Sequence, residues 1–235
     1  MGKREKNMEN RIYHVYEAIG EDYNKIQDIR TLGFHRAVKL RLAHEIAGGQ
    51  PEKVLEICCG TGGLSFALAR LNHNVWIDAV DFSDEMIRSA NAKKRKDGFR
   101  KVVFYKENAK HLSFPNDAYD CVMCAFGLLQ TDDPLKILAE AKRVLKPNGK
   151  LYLLEESVCE DRYIKMFTGF YENSVAPALN ELFTGKGFES RWVSKTGKKP
   201  QSKERMAKIL KQMGFRNISY RSQAGGLAAV HRAVK

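Results

Sequence analysis

The stretch Val54–Leu64 constrains the fold of this chain more than any other part of the sequence. It begins as an apolar run interrupted only by Glu56, which is typical of a buried parallel strand, and continues through a glycine-rich turn into helix-forming residues. In open α/β sheets the ligand crevice lies at the carboxyl ends of the strands, where this turn would be. The stretch therefore predicts a strand, a turn and a helix beside a ligand site.

A second acidic residue ends the next predicted strand. The run Asn74–Val80 is mostly apolar and leads directly to Asp81. A carboxylate in that position could accept hydrogen bonds from both hydroxyls of a ribose. No Gly-Lys-Ser/Thr follows the glycines, which argues against a triphosphate site. Glu56 and Asp81 together indicate a nucleoside ligand without a polyphosphate.

Length and composition limit the class of protein. The chain has 235 residues, 43% of them hydrophobic, and no apolar run long enough to span a bilayer, so we expect one soluble domain. The charged segment Met1–Lys6 lacks the apolar core of a secretion signal, so a cytoplasmic location is expected.

Cysteine spacing gives no metal or redox motif. Cys121 and Cys124 form a Cys-x-x-Cys, but they lie in a predicted buried strand rather than at the strand-to-helix turn that a redox motif needs. The five cysteines contain no cluster of three, as an iron–sulfur site would require. We therefore expect no metal, and a structural role for this pair.

The net charge of +12 is concentrated near the carboxyl end. Residues 186–235 hold thirteen lysines and arginines against two glutamates, a balance of +11. A nucleic-acid patch, a surface for anionic lipid and a solvated face remain open as explanations. Aromatic residues that could stack on bases are widely spread there, at Trp192, Phe215 and Tyr220, so nucleic acid is the least favoured partner.

Predicted strands and helices alternate along the chain. The strands are predicted at 53–57, 75–80, 102–106, 119–124 and 150–155, with helices at 64–72, 83–96 and 134–145. A helical region at 10–47 precedes them, and a helical segment at 160–185, a polar loop at 194–201, a helix at 202–213 and a hairpin of strands at 216–221 and 226–234 follow. The βαβα order predicts a mostly parallel sheet.

Several segments together carry a resemblance to a known family. They are Thr31–Arg36, Glu56 with Gly60-Thr61-Gly62, Val80–Asp81, Glu107–Asp120, Ala125–Leu128, Arg143–Gly149, Leu154–Ser157 and Ala224–Arg232. The chain resembles the class I methyltransferases that use S-adenosylmethionine (SAM), and within them it is similar to the ubiquinone/menaquinone biosynthesis C-methyltransferase family. The match covers nearly the whole chain.

The resemblance implies a Rossmann-like α/β fold. The expected sheet has seven strands, mostly parallel with the last one antiparallel, and it has helices on both faces and extra N-terminal helices. The expected organisation is a single domain at 1–235, with an N-terminal helical cap at 1–50 and a core at 51–235 that carries a substrate-side helical insertion at about 158–200. A homodimer is left open.

The resemblance also assigns cofactor contacts. Glu56 would orient the methionine amino group of SAM, Asp81 would hold the ribose hydroxyls, and Asn108 with Ala109 would meet the adenine edge. Gly60 and Gly62 would line the turn under the cofactor, and Phe82 with Met86 could either sandwich the adenine ring or belong to the core. The full predicted set is Glu56, Cys58, Gly60, Gly62, Asp81, Phe82, Met86, Asn108, Ala109 and Ala125.

The sequence departs from the family pattern at four places. Cys58 stands where most class I enzymes have glycine, and Gly63 replaces a usual acid. Asn108 replaces the family's aspartate, and Leu129–Gln130 replaces arginine-asparagine. That aspartate and arginine lie beside the substrate in the family, and losing both together avoids a stranded buried charge.

The implied activity is methylation of a ring carbon of a prenylated quinol, of the demethylmenaquinol or ubiquinol-precursor type. The chemistry needs mainly positioning and an ionised phenol ortho to the target carbon. Candidate bases are His35, His231 and Tyr16, followed by Asp132 and Glu155. A lipophilic quinol could also bring the enzyme to the surface of an anionic membrane.

Alternatives from other classes remain open at this point. They are an O- or N-methyltransferase of another small metabolite and a SAM-binding protein without activity. Methylation of nucleic acid is disfavoured, because Cys124–Gly127 stands where amine methyltransferases have Asp/Asn-Pro-Pro-aromatic and no proline precedes a cysteine.

Overall fold

The computed structural model describes residues 12–20, 22–188 and 199–235. Its strands are β1 (Lys53–Ile57), β2 (Trp76–Asp81), β3 (Val102–Lys106), β4 (Tyr119–Ala125), β5 (Leu145–Glu156), β6 (Arg216–Gln223) and β7 (Ala228–Val234). Its helices are α1 (12–19), α2 (Tyr23–Thr31), α3 (Phe34–Gly48), α4 (Gly63–Leu71), α5 (Asp84–Asp97), α6 (Pro134–Val144), α7 (Arg162–Phe170), α8 (Ala176–Thr184) and α9 (Lys203–Gln212). A π-helical turn, Tyr171–Val175, joins α7 to α8, and short 3₁₀ turns lie at Leu128–Gln130 and Ala224–Gly226.

The seven strands form one sheet in the order β3-β2-β1-β4-β5-β7-β6. The strands from β1 to β5 pair in parallel, whereas β7 runs antiparallel to both β5 and β6. This confirms the predicted Rossmann-like fold. The chain order reverses between β1 and β4, so the ligand crevice is expected at the carboxyl ends of those two strands.

Alternate residues of the central strands pack on opposite faces of the sheet. Val54 of β1 belongs to a core cluster with α3 and α4, whereas Leu55 and Ile57 belong to a cluster with α6 and α9. A strand covered on both faces must be apolar at nearly every position. This burial explains the apolar run at the start of Val54–Leu64 and leaves Glu56 as its exception.

The N-terminal helices cover the carboxyl edge of the sheet. Ile19 of α1 and Ile26 of α2 pack on Met86 of α5 in a third cluster. The carboxylate of Glu17 accepts hydrogen bonds from the Ser83 hydroxyl at 2.6 Å and from the Glu85 amide at 3.1 Å, which fixes α1 to the start of α5. None of the described helices is long and apolar enough to cross a membrane.

Most predicted elements have their expected type, but some boundaries were wrong. The predicted N-terminal helical region is split into three helices, with a break at Leu32 and Gly33, where φ is 49° and 74°. β5 begins at Leu145 rather than at 150, because Leu145 already pairs with Tyr119 before the register shifts. Most of the predicted polar loop at 194–201 lies outside the described residues.

Candidate functional site

Three adjoining cavities lie along the carboxyl ends of the strands. The edge pocket, about 40 Å³, includes Asp81, Phe82, Asn108 and Ala109 in its wall. The central pocket, about 50 Å³, lies over the glycine turn. The large cavity, about 420 Å³, lies between α2, α3 and α7. The central pocket and the large cavity share five wall residues, namely Tyr16, Tyr23, Lys39, Phe126 and Gln130.

The two predicted glycines of the turn serve different purposes. Gly60 has a φ of 54° and lines the central pocket, and a Cβ there would meet only Tyr23, at 3.9 Å. Gly62 has a φ of 77°, and a Cβ there would lie 2.7 Å from the Phe104 ring and 2.9 Å from Phe66. Gly62 therefore faces the core and lines none of these three cavities, and its predicted place under the cofactor stays a prediction.

Asp81 is positioned by backbone amides at the end of β2. Its carboxylate accepts hydrogen bonds from the Gly60 amide at 2.8 Å and from the Ser83 amide at 3.1 Å. The residue is 8% exposed, and burial raises the pKa of Asp81 to about 6 against the effect of these amides. A carboxylate offers about four acceptor sites, so two remain for hydroxyl groups in the edge and central pockets that Asp81 lines.

Glu56 lies behind the pocket wall rather than in it. Its carboxylate accepts hydrogen bonds from the Ser65 amide at 2.9 Å and from the Ser65 hydroxyl. Burial raises the pKa of Glu56 to about 7, and the Ser65 hydrogen bonds and the charge of Lys39 oppose the rise. Glu56 therefore anchors the start of α4 in this structure, and it reaches a ligand only if the carboxylate turns away from Ser65.

Lys39 of α3 is a site residue that the sequence analysis missed. It is half-buried in the wall shared by the central pocket and the large cavity, with Nζ 5.9 Å from the centre of the Phe126 ring. Burial lowers the pKa of Lys39, and nearby Glu56 opposes that shift. Its only signal in the sequence is proximity to the family-like segment Thr31–Arg36. The cation lies where a carboxylate of a bound ligand could reach it.

The predicted adenine residues lie together in the edge pocket. Asn108 Oδ1 accepts a hydrogen bond from the Lys110 amide at 3.0 Å, and Ala109 is buried beside it. Phe82 lines both the edge and central pockets, whereas Met86 lines only the central pocket and is otherwise part of the core. Both side chains therefore line the central pocket, and the sandwich of the adenine ring stays a prediction.

The remaining predicted cofactor residues lie in the central pocket. Cys58, with a φ of 55°, and Ala125, at the end of β4, both line it. A Cβ placed on Gly127 would overlap the Cβ of Cys58. The two strand ends are therefore packed as closely as small residues allow.

Three of the five candidate bases lie away from the large cavity. His231 of β7 is 3% exposed and holds the Lys203 carbonyl through Nε2 at 2.8 Å. Asp132 pairs with Lys110 at 3.0 Å in the wall of the edge pocket. Glu155 accepts hydrogen bonds from the Gly127 amide at 3.0 Å and from the Leu128 amide at 2.7 Å. None of these three side chains lines the large cavity, and the hydrogen bond of His231 to the Lys203 carbonyl ties it to the start of α9.

Tyr16 and His35 do line the large cavity. His35 Nδ1 lies 2.7 Å from the Thr31 hydroxyl, and burial lowers the pKa of His35 to about 4, so the imidazole is neutral at pH 7. Burial raises the pKa of Tyr16 well above its usual value and that of Tyr23 to about 12. Both phenols are therefore protonated, and they can donate hydrogen bonds.

The large cavity also contains charged residues that the sequence analysis did not assign to the site. Arg30 of α2, Glu156 at the end of β5 and Glu172 of the π turn all line it. Apolar side chains complete the wall, among them Phe34, Phe126, Ile164, Phe167 and Leu227. These residues are far apart in the sequence, and only the folded topology brings them together.

Comparison with known proteins identifies the family. The family model described as the ubiE/COQ5 methyltransferase family matches residues 4–235. The ubiquinone/menaquinone biosynthesis C-methyltransferase UbiE of Rickettsia felis is 29% identical over 228 residues, which cover 94% of this chain and 91% of that protein. The demethylmenaquinone methyltransferase of Bacillus subtilis is 28% identical over 224 residues, covering 95% and 96%.

Solved structures share the fold. A SAM-dependent methyltransferase from Thermotoga maritima, described as a possible histamine N-methyltransferase, has a TM-score of 0.67 and 19% identity, covering 95% of this chain and 99% of that one. A SAM-dependent methyltransferase from Aquifex aeolicus has a TM-score of 0.61 and 20% identity, covering 89% and 97%. The resemblance inferred from the sequence is thereby confirmed, and the chain belongs to the ubiE/COQ5 methyltransferase family, whose methyl donor is S-adenosylmethionine.

Proposed function

We propose that this enzyme methylates a ring carbon of a prenylated quinol. Two of its relatives are a ubiquinone/menaquinone biosynthesis C-methyltransferase and a demethylmenaquinone methyltransferase, which supports the proposal. The observation that carries the proposal is the large cavity of about 420 Å³ that shares a wall with the central pocket. An aromatic ring held there would lie beside a methyl group presented from the central pocket. Phe34, Phe126 and Leu227 supply apolar contacts for such a ring.

The described residues fit the methyl donor. We assign the ribose hydroxyls to the free acceptor sites of Asp81, the adenine to the edge pocket beside Asn108 and Ala109, and the methionine carboxylate to Lys39. We keep the prediction that Glu56 binds the amino group of SAM, which requires its carboxylate to release the Ser65 amide and hydroxyl. When bound, SAM supplies an electrophilic methyl carbon on a sulfonium. The chain's own contribution is to position the two reactants on either side of the shared wall.

The direct test uses methyl-labelled SAM and a short-tailed demethylmenaquinol under anaerobic conditions. We expect label in the quinol, on a ring carbon by NMR of the product. A quinol already methylated at that position is the matched control and should take up no label. Label on an oxygen, or label found only in a soluble metabolite of a cell extract, would refute the proposal in favour of an O- or N-methyltransferase.

We further propose that the enzyme docks on an anionic membrane, where a prenylated substrate resides. Helix α7 exposes an apolar stripe at helical spacing, formed by Tyr163, Met166, Phe167 and Phe170, each 60–77% exposed. Phe167 also lines the large cavity, so the stripe borders the proposed acceptor site. Arg162 and Lys165 lie on the same helix, and basic residues near an anionic surface contribute about 1 kcal/mol each. The basic carboxyl-terminal segment adds to this attraction.

The double variant Met166→Ser/Phe170→Ser should lower binding to anionic vesicles at least tenfold, since an apolar side chain transferred from water contributes about 1.5–3 kcal/mol. Neither residue lines the large cavity. Vesicle sedimentation measures the effect, with Leu40→Ser/Leu135→Ser as the control, because these leucines are 47% and 54% exposed on α3 and α6. Equal binding of the wild-type protein to neutral and anionic vesicles would contradict the proposed docking on an anionic membrane. So would a double variant that changed only the oligomeric state in light scattering.

A further inference from the structure

Arg30 places a buried cation in the wall of the large cavity. The residue is 8% exposed, and its Nη1 donates a hydrogen bond to Gln27 Oε1 at 3.1 Å. Among the described residues, no carboxylate oxygen lies within 4.0 Å of the guanidinium. A guanidinium carries five N–H donors, and a buried charge is costly unless it is paired. The arrangement therefore points to an anionic or strongly accepting oxygen on a ligand.

The charge of Arg30 acts on phenols in the same cavity. Burial raises the pKa of Tyr16 and Tyr23, and in both cases the positive charge of Arg30 opposes the rise. A phenolic ligand in the cavity is exposed to the same cation. The titratable or charged groups that line this cavity with Arg30 are Tyr16, Tyr23, His35, Lys39, Glu156, Tyr171 and Glu172.

We propose that Arg30 binds the acceptor's ring oxygen and holds it as the phenolate, which makes the neighbouring ring carbon nucleophilic. This inference rests on the proposed function, because it takes a phenolic ring as the acceptor. It assigns to α2 a role in substrate ionisation that no motif in the sequence indicates.

The reaction balances as follows. The O–H bond of the ring hydroxyl breaks and its proton goes to water in the open cavity, while the oxygen keeps the electron pair. That pair reaches the ortho carbon, which attacks the methyl carbon; the new C–C bond forms as the C–S bond breaks, and the sulfur keeps its electron pair. The methylated ring carbon then loses its proton to water and the ring becomes aromatic again.

Replacing Arg30 with glutamine should lower kcat/KM for a short-tailed demethylmenaquinol about 10- to 100-fold at pH 7, the range for losing a hydrogen bond to a charged group. The rise of kcat/KM with pH should move to higher pH, because the quinol must then ionise without the cation. Arg30→Lys should recover part of the loss. Arg88→Gln is the control, since Arg88 is exposed and pairs with Glu85 of its own helix. The affinity for SAM, measured by calorimetry, should be unchanged in all three variants.

A second measurement is independent of turnover. The phenolate of 4-nitrophenol, whose absorbance reports its ionisation, should bind the wild-type protein at least tenfold more tightly at pH 8.5 than it binds Arg30→Gln. That difference would support a phenolate site at Arg30 even if the quinol is not methylated. In that case only the proposed methylation of a quinol would be refuted. Equal binding, or no binding by either protein, overturns the proposal for Arg30. So does an unshifted pH profile in the quinol assay.

Discussion

Replacing Asp81 with alanine should weaken SAM binding about 100-fold or more. The assignment gives this carboxylate two ribose hydroxyls, and each hydrogen bond to a charged group contributes about 1.5–3 kcal/mol. The same change removes the acceptor for the Gly60 and Ser83 amides, which loosens the turn below the cofactor. Titration calorimetry with SAM measures the loss directly.

Asp84→Ala is the matched control for this experiment. Asp84 lies three residues further on, at the start of α5, and its carboxylate pairs with Lys106 on the surface. It lines neither the edge pocket nor the central pocket, so the affinity for SAM should stay within about twofold of wild type. An Asp81→Ala protein that binds SAM normally would refute the ribose assignment.

Gly127→Ala should both destabilise the protein and impair the cofactor site. The φ of Gly127 is −118°, which any residue can adopt, so the harm comes from overlap of the new methyl group with the Cys58 side chain. Overpacking of this kind costs about 1–3 kcal/mol, or a fall in Tm of about 2–12 °C for a chain of this size. Because both residues line the central pocket, we also expect at least tenfold weaker SAM binding.

The second change, Cys58→Gly, should rescue Gly127→Ala. It removes the overlapping atoms, and it suits a position where φ is 55°. Thermal unfolding and calorimetry on the double-mutant cycle give the coupling between the two sites. Gly48→Ala is the control, because a Cβ there meets nothing within 4 Å. If Cys58→Gly deepened the defect instead, the steric explanation would be wrong.

The fold was predictable because the sheet is covered on both faces. That burial makes each central strand an apolar run ending in a turn, and Glu56 stands out against it. The antiparallel direction of the last strand was predicted from the resemblance to the family. The start of β5 was not predictable, since Pro147 and Asn148 are typical of a turn, and the strand tolerates them only through the register shift opposite Tyr119.

The site was only partly predictable. Asp81 follows a strand end directly, so its position at the carboxyl edge is dictated by the sheet. The spacing of Gly62 fits the turn, but only three-dimensional packing shows that Phe66 and Phe104 fill the space beside it. Arg30 and Lys39 lie on helices that the sequence does not orient against the sheet, so their place in the cavity walls depends on how α2 and α3 dock.

The π-helical turn between α7 and α8 sets how far α8 is rotated relative to α7. At its first residue, the Tyr171 hydroxyl donates to the Ile29 carbonyl at 2.6 Å, and after the turn Ala176, Pro177 and Asn180 are buried. Deleting one residue of the turn would restore α-helical hydrogen bonding and rotate everything beyond it by about 100°, so the contact at the start of the turn and the burial beyond it could not form together. A one-residue deletion, which an exposed loop would tolerate, should therefore destabilise the protein here, although many of the surrounding side chains face solvent.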